Sequence, residues 1–208
     1  MIKLYDLLKE VGEGSSKPFP YYESSGMGML DFKNHTKGLR IGIDKKNASF
    51  VAFIIDGEAH GEEINVFLRG YYIKGKNYKE FYPPPNDKEL SEKLGFDYQD
   101  ENALKNYLEL HVEFGLMDGE EGEAGNLVND RVYMFRLMAT IKEILLKEIE
   151  KHNPMVISFS PIKRASEDNI DSLGAGRTKL YNLFIKKAFP SAKILEHNDM
   201  IYYQLRSI

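Results

Sequence analysis

Cysteine is missing from the sequence, and its 208 residues therefore exclude disulfide bonds, thiolate metal ligands and cysteine nucleophiles. This composition suits a reducing compartment such as a cytosol. The sequence also lacks any apolar run close to the roughly 18 residues that a membrane-spanning helix needs. The opening MIKLYDLLKEVGEG has no apolar centre of the kind found in signal peptides. We therefore expect neither a membrane partner nor a secretory leader.

The sequence has no dominant block of basic residues. It carries 32 acidic and 28 basic side chains, a net charge of −4. Nucleic-acid binding depends on clustered cations that neutralise phosphates, so this pattern does not favour a nucleic-acid partner. With 42% hydrophobic and 29% charged residues, the chain has an ordinary globular composition. We predict one domain spanning residues 1–208.

The longest predicted element is an amphipathic helix that begins near Asn129 or Asp130 and ends before Pro154. Proline stops a helix because it cannot donate a backbone hydrogen bond and disfavours a helical residue before it. The run 155–159, MVISF, is short, apolar and β-branched, which predicts an interior strand. Apolar residues at spacings of three and four predict one buried stripe along the helix, formed by Val132, Phe135, Met138, Ala139, Leu145, Leu146 and Ile149.

The region before this helix predicts mostly antiparallel strands. Residues 29–34, 39–43 and 50–55 are separated by short polar turns, which indicates a meander because such turns cannot hold a crossover helix. Further strands are predicted at 64–73 and 108–117, the latter with Leu110, Val112 and Phe114 facing one way. Residues 1–17 predict a short helix, 2–11, and a flexible joint. This helix docks either on its own domain or on a neighbour.

A tyrosine- and proline-rich insertion is predicted at 74–106, with short helices at 87–94 and 101–108. Its run Tyr82-Pro83-Pro84-Pro85 either forms an extended segment for a partner's groove or packs with the aromatic residues on its own domain.

The half 108–208 reads as strand, long helix, strand, shorter helix and hairpin. The shorter helix is predicted at 177–189, with Leu180, Phe184 and Ala188 buried, and the hairpin at 193–195 and 200–205, around a turn at 197–199. The fold class is therefore α/β or α+β, with a mixed, largely antiparallel central sheet flanked by helices.

The order of these elements resembles the Gcn5-related N-acetyltransferase superfamily, whose fold is a mixed sheet flanked by helices. Five short motifs resemble those of a family of tailed-bacteriophage proteins. They are LLKEV at 7–11, KPFPY at 17–21, MATI at 138–141, P-x-x-I-x-F-S at 154–160 and R-x-K-L-Y at 177–181. Together these resemblances imply a phage protein with an acetyltransferase-like fold, located in the host cytoplasm or the virion.

The acetyltransferase resemblance implies a coenzyme A site at the start of the long helix, involving Asn126, Asn129 and Arg131. The superfamily binds the pyrophosphate there with a Q/R-x-x-G-x-G/A loop, and this pattern is missing from the sequence. Four acidic residues within six positions come before it. A carboxylate about 6 Å from a phosphate costs roughly 3 kcal/mol at an effective dielectric near 20. We therefore expect no cofactor, with acetyl-CoA as the alternative.

Tyr181 is the candidate catalytic residue under that alternative. The pair Leu180-Tyr181 matches an L-Y pair whose tyrosine can act as general acid towards the leaving thiolate. The superfamily's upstream Asn and Ala are replaced by Gly174 and Arg177, and its downstream Gly-Phe is missing. A tyrosine on an amphipathic helix more often packs its ring and hydrogen-bonds its hydroxyl group.

Other candidate sites have weaker patterns. His60 with Glu62 and Glu63, and His111 with Glu113, lack a recognised zinc spacing. The acidic loop 118–125 lacks the residue order of a calcium loop, so solvated surface is the better interpretation. Ser158 and Ser160 lack a nucleophile-elbow motif.

Three functional hypotheses follow, and fold alone cannot choose between them. The first is a non-catalytic phage protein that contacts other phage or host proteins, as a virion, assembly or interaction component. The second is an N-acyltransferase that uses acetyl-CoA and Tyr181. The third is a phage inhibitor of a host defence protein.

Overall fold

The computed structural model describes residues 17–23, 49–59, 61–116, 131–159, 182, 185–187, 189–198 and 200–208. The strands are β1 (Tyr21–Glu23), β2 (Ser49–Ala59), β3 (Glu62–Lys74), β4 (Leu108–Leu116), β5 (Val156–Phe159), β6 (Lys193–His197) and β7 (Met200–Gln204). The helices are a 3-10 turn (Gly75–Asn77), α1 (Tyr78–Phe81), α2 (Asn86–Leu94), α3 (Glu101–Asn106) and α4 (Arg131–His152). Residues 182 and 185–187 are also helical.

The seven strands form one sheet in the order β1-β2-β3-β4-β5-β7-β6. The pairs β1–β2, β5–β7 and β6–β7 are antiparallel, whereas β4 and β5 are parallel. β2 and β3 are joined by residues 60 and 61 alone, a connection that only an antiparallel pair allows. The prediction of a mixed, largely antiparallel sheet with helices is therefore confirmed, as is the C-terminal hairpin of β6 and β7.

The residues group into two compact units. The first unit contains the described parts of 1–28, 51–69 and 114–152. The second contains the described parts of 29–50, 70–113 and 153–208. The prediction of a single domain over 1–208 stays a prediction.

Helix α4 belongs to the first unit and has 22 residues. The helix ends at His152, before Asn153, whose φ of 50° lies in the left-handed region typical of helix ends. Pro154 follows directly. The predicted end of the helix and the strand β5 behind it are confirmed.

The predicted buried stripe of α4 was wrong in part. Met138 and Leu145 are buried, but Val132 is 69% exposed and Leu146 is 38% exposed. The buried face is centred on a different side of the helix and is formed by Tyr133, Leu137, Met138, Thr140, Ile141, Ile144, Leu145 and Glu148. Thr140 lies within this face because its hydroxyl group has hydrogen-bond partners there. A pattern of apolar residues alone does not reveal such a position.

The core of the second unit includes buried aromatic residues from the segment 74–106. Tyr78, Tyr82, Phe96 and Tyr107 are buried together with Val156 and Tyr202. Helices α2 and α3 confirm the two predicted short helices, the second ending at Asn106 rather than at residue 108. The three prolines at 83–85 are exposed. The aromatic residues of the insertion thus pack on their own unit, whereas the prolines face solvent.

Helix α3 packs closely against the 3-10 turn at Gly75. A Cβ atom at this position would lie 1.5 Å from the Leu104 carbonyl oxygen, so no other residue fits without a backbone shift. The backbone N–H of Gly75 donates to the Tyr107 carbonyl at 3.1 Å.

Several sequence predictions lie outside the described residues. They are the helix at 2–11, the strands at 29–34 and 39–43, the acidic loop and most of the helix at 177–189.

Candidate functional site: a buried carboxylate network

Residues 108–113 of strand β4 lie in the second unit and alternate apolar and polar side chains. Leu110 and Val112 are each 1% exposed and share one face, while Glu109, His111 and Glu113 share the other. The parallel pairing with β5 places Ser158 opposite His111. A carboxylate, an imidazole and a hydroxyl group therefore lie together on one face of two neighbouring strands.

Glu109 is 0% exposed and accepts hydrogen bonds from three hydroxyl groups. The Tyr82 hydroxyl group donates to Oε1 at 2.6 Å. The Tyr107 hydroxyl group donates to Oε2, and Ser158 Oγ donates to Oε1. Burying a carboxylate costs several kcal/mol unless hydrogen bonds replace its water. The three hydroxyl donors supply these bonds.

His111 extends the network away from Glu109. Its Nδ1 lies 2.9 Å from Ser158 Oγ, and its Nε2 lies 3.5 Å from Glu113 Oε1. The single hydroxyl proton of Ser158 is directed at Glu109, so Ser158 must accept from a protonated Nδ1 of His111. The His111 and Glu113 side chains keep 12% and 11% of their surface exposed. The network therefore extends from a fully buried carboxylate to a slightly exposed imidazole–carboxylate pair.

The tyrosines around Glu109 are held in their neutral form. Burial, and then the charge of Glu109, raise the pKa of four of them above the ordinary value of 10.0: Tyr78, Tyr82, Tyr107 and Tyr202. For Tyr78, the nearby Asp87 carboxylate raises the pKa further. These tyrosines keep their hydroxyl protons, so Tyr82 and Tyr107 stay donors to Glu109 over the physiological pH range.

The contact of Ser158 with His111 does not form a nucleophilic pair in this structure. A serine nucleophile needs its proton directed at the base and its oxygen open to substrate. Ser158 directs its proton at Glu109 and is 0% exposed. The arrangement is that of a buried polar network which holds β4, β5 and the segment around Tyr82 together. Within the described part of the chain, no group of three or more His, Asp or Glu side chains could hold a metal ion.

The residues predicted for cofactor chemistry are not brought together in the described structure. Arg131 is the first residue of α4, with its side chain outside the described atoms. Asn126, Asn129 and Tyr181 lie outside the described residues. Their roles in binding acetyl-CoA and in catalysis stay predictions.

The histidine–acid candidates have different outcomes. His60 lies outside the described residues, and its neighbours Glu62 and Glu63 are exposed. His111 Nε2 does lie 3.5 Å from Glu113 Oε1, although no group of described side chains around them could hold a metal.

The central members of the network, Glu109 and Ser158, were not singled out together from the sequence. A signal was present, because each is a polar residue inside an apolar strand, LELHV and MVISF. Polar residues at buried strand positions require hydrogen-bond partners. The two residues are 49 positions apart in the chain, so the sequence does not show that they pair.

Comparisons of the chain with models of protein families, with curated proteins and with solved structures return no match. None of the helices in the described ranges has the length and hydropathy of a membrane span.

Proposed function

We propose that this chain is a non-catalytic interaction protein of a tailed phage, built on an acetyltransferase-like fold. The observation that carries the proposal is the closed state of the Glu109 network. Ser158 and Glu109 are each 0% exposed, and the Tyr82, Tyr107 and Ser158 hydroxyl groups donate within the protein. The carboxylate and the serine hydroxyl group at the centre of the network therefore stabilise the core and are closed to a substrate.

The pairing of β4 with β5 supports the same proposal. In the acetyltransferase superfamily the strands before and after the long helix splay apart, and the pantetheine arm of coenzyme A enters between them. Here residues 109–112 pair in register with 156–159. Leu110, Val112, Val156 and Ile157 are all buried at these positions. Over these four pairs the strands leave no gap for a ligand.

The phage part of the proposal is supported by the sequence motifs. Two of them contact each other in the first unit, because Phe19 of KPFPY donates its backbone N–H to the Thr140 hydroxyl group of MATI at 2.8 Å. The two motifs therefore share a structural role, because each supplies one partner of this hydrogen bond. Within a phage, a chain whose Glu109 and Ser158 are closed to substrate suits a virion or assembly component or a protein that contacts host proteins.

Calorimetric titration of acetyl-CoA into the purified chain tests the non-catalytic part. We expect no micromolar binding, because the loop before α4 is acidic. Micromolar binding that Arg131→Glu removes would overturn this part. Mass spectrometry of purified phage particles tests the virion part. Particles that lack the protein would contradict it.

An acetyl-CoA-dependent acyltransferase is the second candidate function. The order β4, α4, β5, with β4 and β5 parallel neighbours, favours it because the superfamily has the same order. Acetyl transfer that Tyr181→Phe reduces would support this candidate over the first.

A further inference from the structure

Residues 17–23, here named the strap, lie in the first unit against α4 and β2. The main chain of the strap is bound in two ways. On one side, Tyr21, Tyr22 and Glu23 pair antiparallel with β2. On the other side, Arg136 Nε donates to the Lys17 carbonyl at 2.9 Å, and Thr140 Oγ1 accepts from the Phe19 N–H at 2.8 Å. Side chains of α4 thus hydrogen-bond to the backbone of the strap.

The strap has two aromatic anchors. Phe19 is 3% exposed, with its ring centroid 5.2 Å from that of Tyr133 and 4.0 Å from Arg136 Cζ. The Tyr21 hydroxyl group donates to Glu143 Oε1 at 2.9 Å and accepts from Lys147 Nζ at 2.5 Å. Arg136 therefore contacts both the backbone and a side chain of the strap.

The two prolines of the strap complete the match between its backbone and α4. Pro18 and Pro20 have no N–H group, so Phe19 provides the single backbone donor between them, and Thr140 accepts it. The Pro20 carbonyl accepts from the Asp56 N–H at 2.9 Å. Strand addition combined with side-chain pockets is a recurring mode of peptide recognition.

We infer that the groove between α4 and β2 is a binding site for an extended peptide and that the strap occupies it as an internal inhibitor. The inferred partner is another protein's segment with an aromatic residue between two prolines and a tyrosine two positions after that aromatic residue. This chemistry follows from the segment seated in the groove. The inference rests on the proposed interaction function and names the partner class.

The test uses the full chain with the strap weakened by Phe19→Ala and a fluorescent peptide of sequence KPFPYYE as the probe. The peptide binds the variant about tenfold or more tighter than the wild-type chain, because the attached strap competes at a high effective concentration. A peptide with alanine in place of its phenylalanine is the matched control, and its binding is lost. Fluorescence anisotropy measures each affinity.

Adding Arg136→Ala to the Phe19→Ala chain removes binding of the probe, whereas adding Lys151→Ala, an exposed change on the same helix, retains it. Equal binding of the probe to wild type and Phe19→Ala, or no binding to a folded Phe19→Ala chain, would overturn the inference. A wild-type chain that forms strap-exchanged dimers, shown by light scattering, would make a second copy the occupant and also overturn it. Because the acetyl-CoA titration is separate, it distinguishes failure of this inference from failure of the proposed function.

Native-state hydrogen exchange provides a measurement on the wild-type chain if Phe19→Ala does not fold. The inference requires the strap to open without global unfolding, so the Phe19 amide exchanges faster than the amides of β5. Exchange of the Phe19 amide only through global unfolding would refute a displaceable strap.

Discussion

Tyr107→Phe removes one of the three hydroxyl donors to the buried Glu109 carboxylate and leaves the ring in place. The Tyr107 side chain is 2% exposed, and its hydroxyl group donates to Glu109 Oε2. Phenylalanine fills nearly the same volume, so the change creates no large cavity. The free energy of unfolding therefore reports mainly on the lost hydrogen bond.

The expected loss of stability is about 1.5–3 kcal/mol, the usual range for a hydrogen bond to a charged group. A neutral, solvent-exposed hydrogen bond contributes less. For a chain of this size, the loss lowers the midpoint of thermal unfolding by about 3–12 °C.

Urea denaturation followed by circular dichroism measures the change. The matched control is Tyr98→Phe, because Tyr98 is partly exposed and its hydroxyl group accepts from the exposed Gln99 amide at 3.0 Å. We expect this control to change stability by less than about 0.5 kcal/mol. Equal effects of Tyr107→Phe and Tyr98→Phe would refute the hydrogen-bonded role of Glu109. The change in the free energy of unfolding of the double mutant Tyr107→Phe, Glu109→Gln should differ from the sum of the changes of the two single mutants.

Three further predictions concern pH and packing. Spectrophotometric titration should show tyrosines that ionise well above pH 10; for Tyr133, burial raises the pKa to about 12. Because the fold favours the neutral form of these tyrosines, the free energy of unfolding should fall as the pH rises past 10. A single transition near pH 10 would contradict this. The Lys147 ammonium lowers the pKa of Glu143 below 4.5, so the charged Glu143 stabilises the fold above pH 4.5 and this stabilisation is lost as the pH falls below 4.5. The urea midpoint of Glu143→Gln should therefore depend less on acid than that of the wild type. Gly75→Ala should destabilise the chain by about 1–3 kcal/mol through overlap with Leu104, and an unchanged urea midpoint would contradict the close approach.

The acid prediction also bears on the strap. Tyr21 is the second group that lowers the pKa of Glu143, by donating its hydroxyl proton. Removing the carboxylate charge therefore weakens an anchor of the strap together with the Lys147 contact. Protection of the Phe19 amide from hydrogen exchange should decrease in Glu143→Gln.

Element positions were largely predictable because their signals are local. The stop at Pro154, the apolar run of β5 and the alternation of β4 depend on neighbouring residues, and the structure has them at the predicted places. The rotation of α4 was not predictable in the same way. Val132 was predicted to be buried and is exposed, whereas Thr140 was not in the predicted stripe and is buried, where it accepts a hydrogen bond from the strap.

The candidate site depended on contacts between residues far apart in the sequence. From the sequence, His111 and Glu113 were candidates and Ser158 was a serine without a partner. The parallel register of β4 and β5 joins these residues, and Tyr82 and Tyr107 reach Glu109 from outside both strands. Local patterns determine whether a segment is helix or strand and which residues alternate. Only the tertiary structure decides which buried polar groups satisfy one another, because that choice depends on strand order and register.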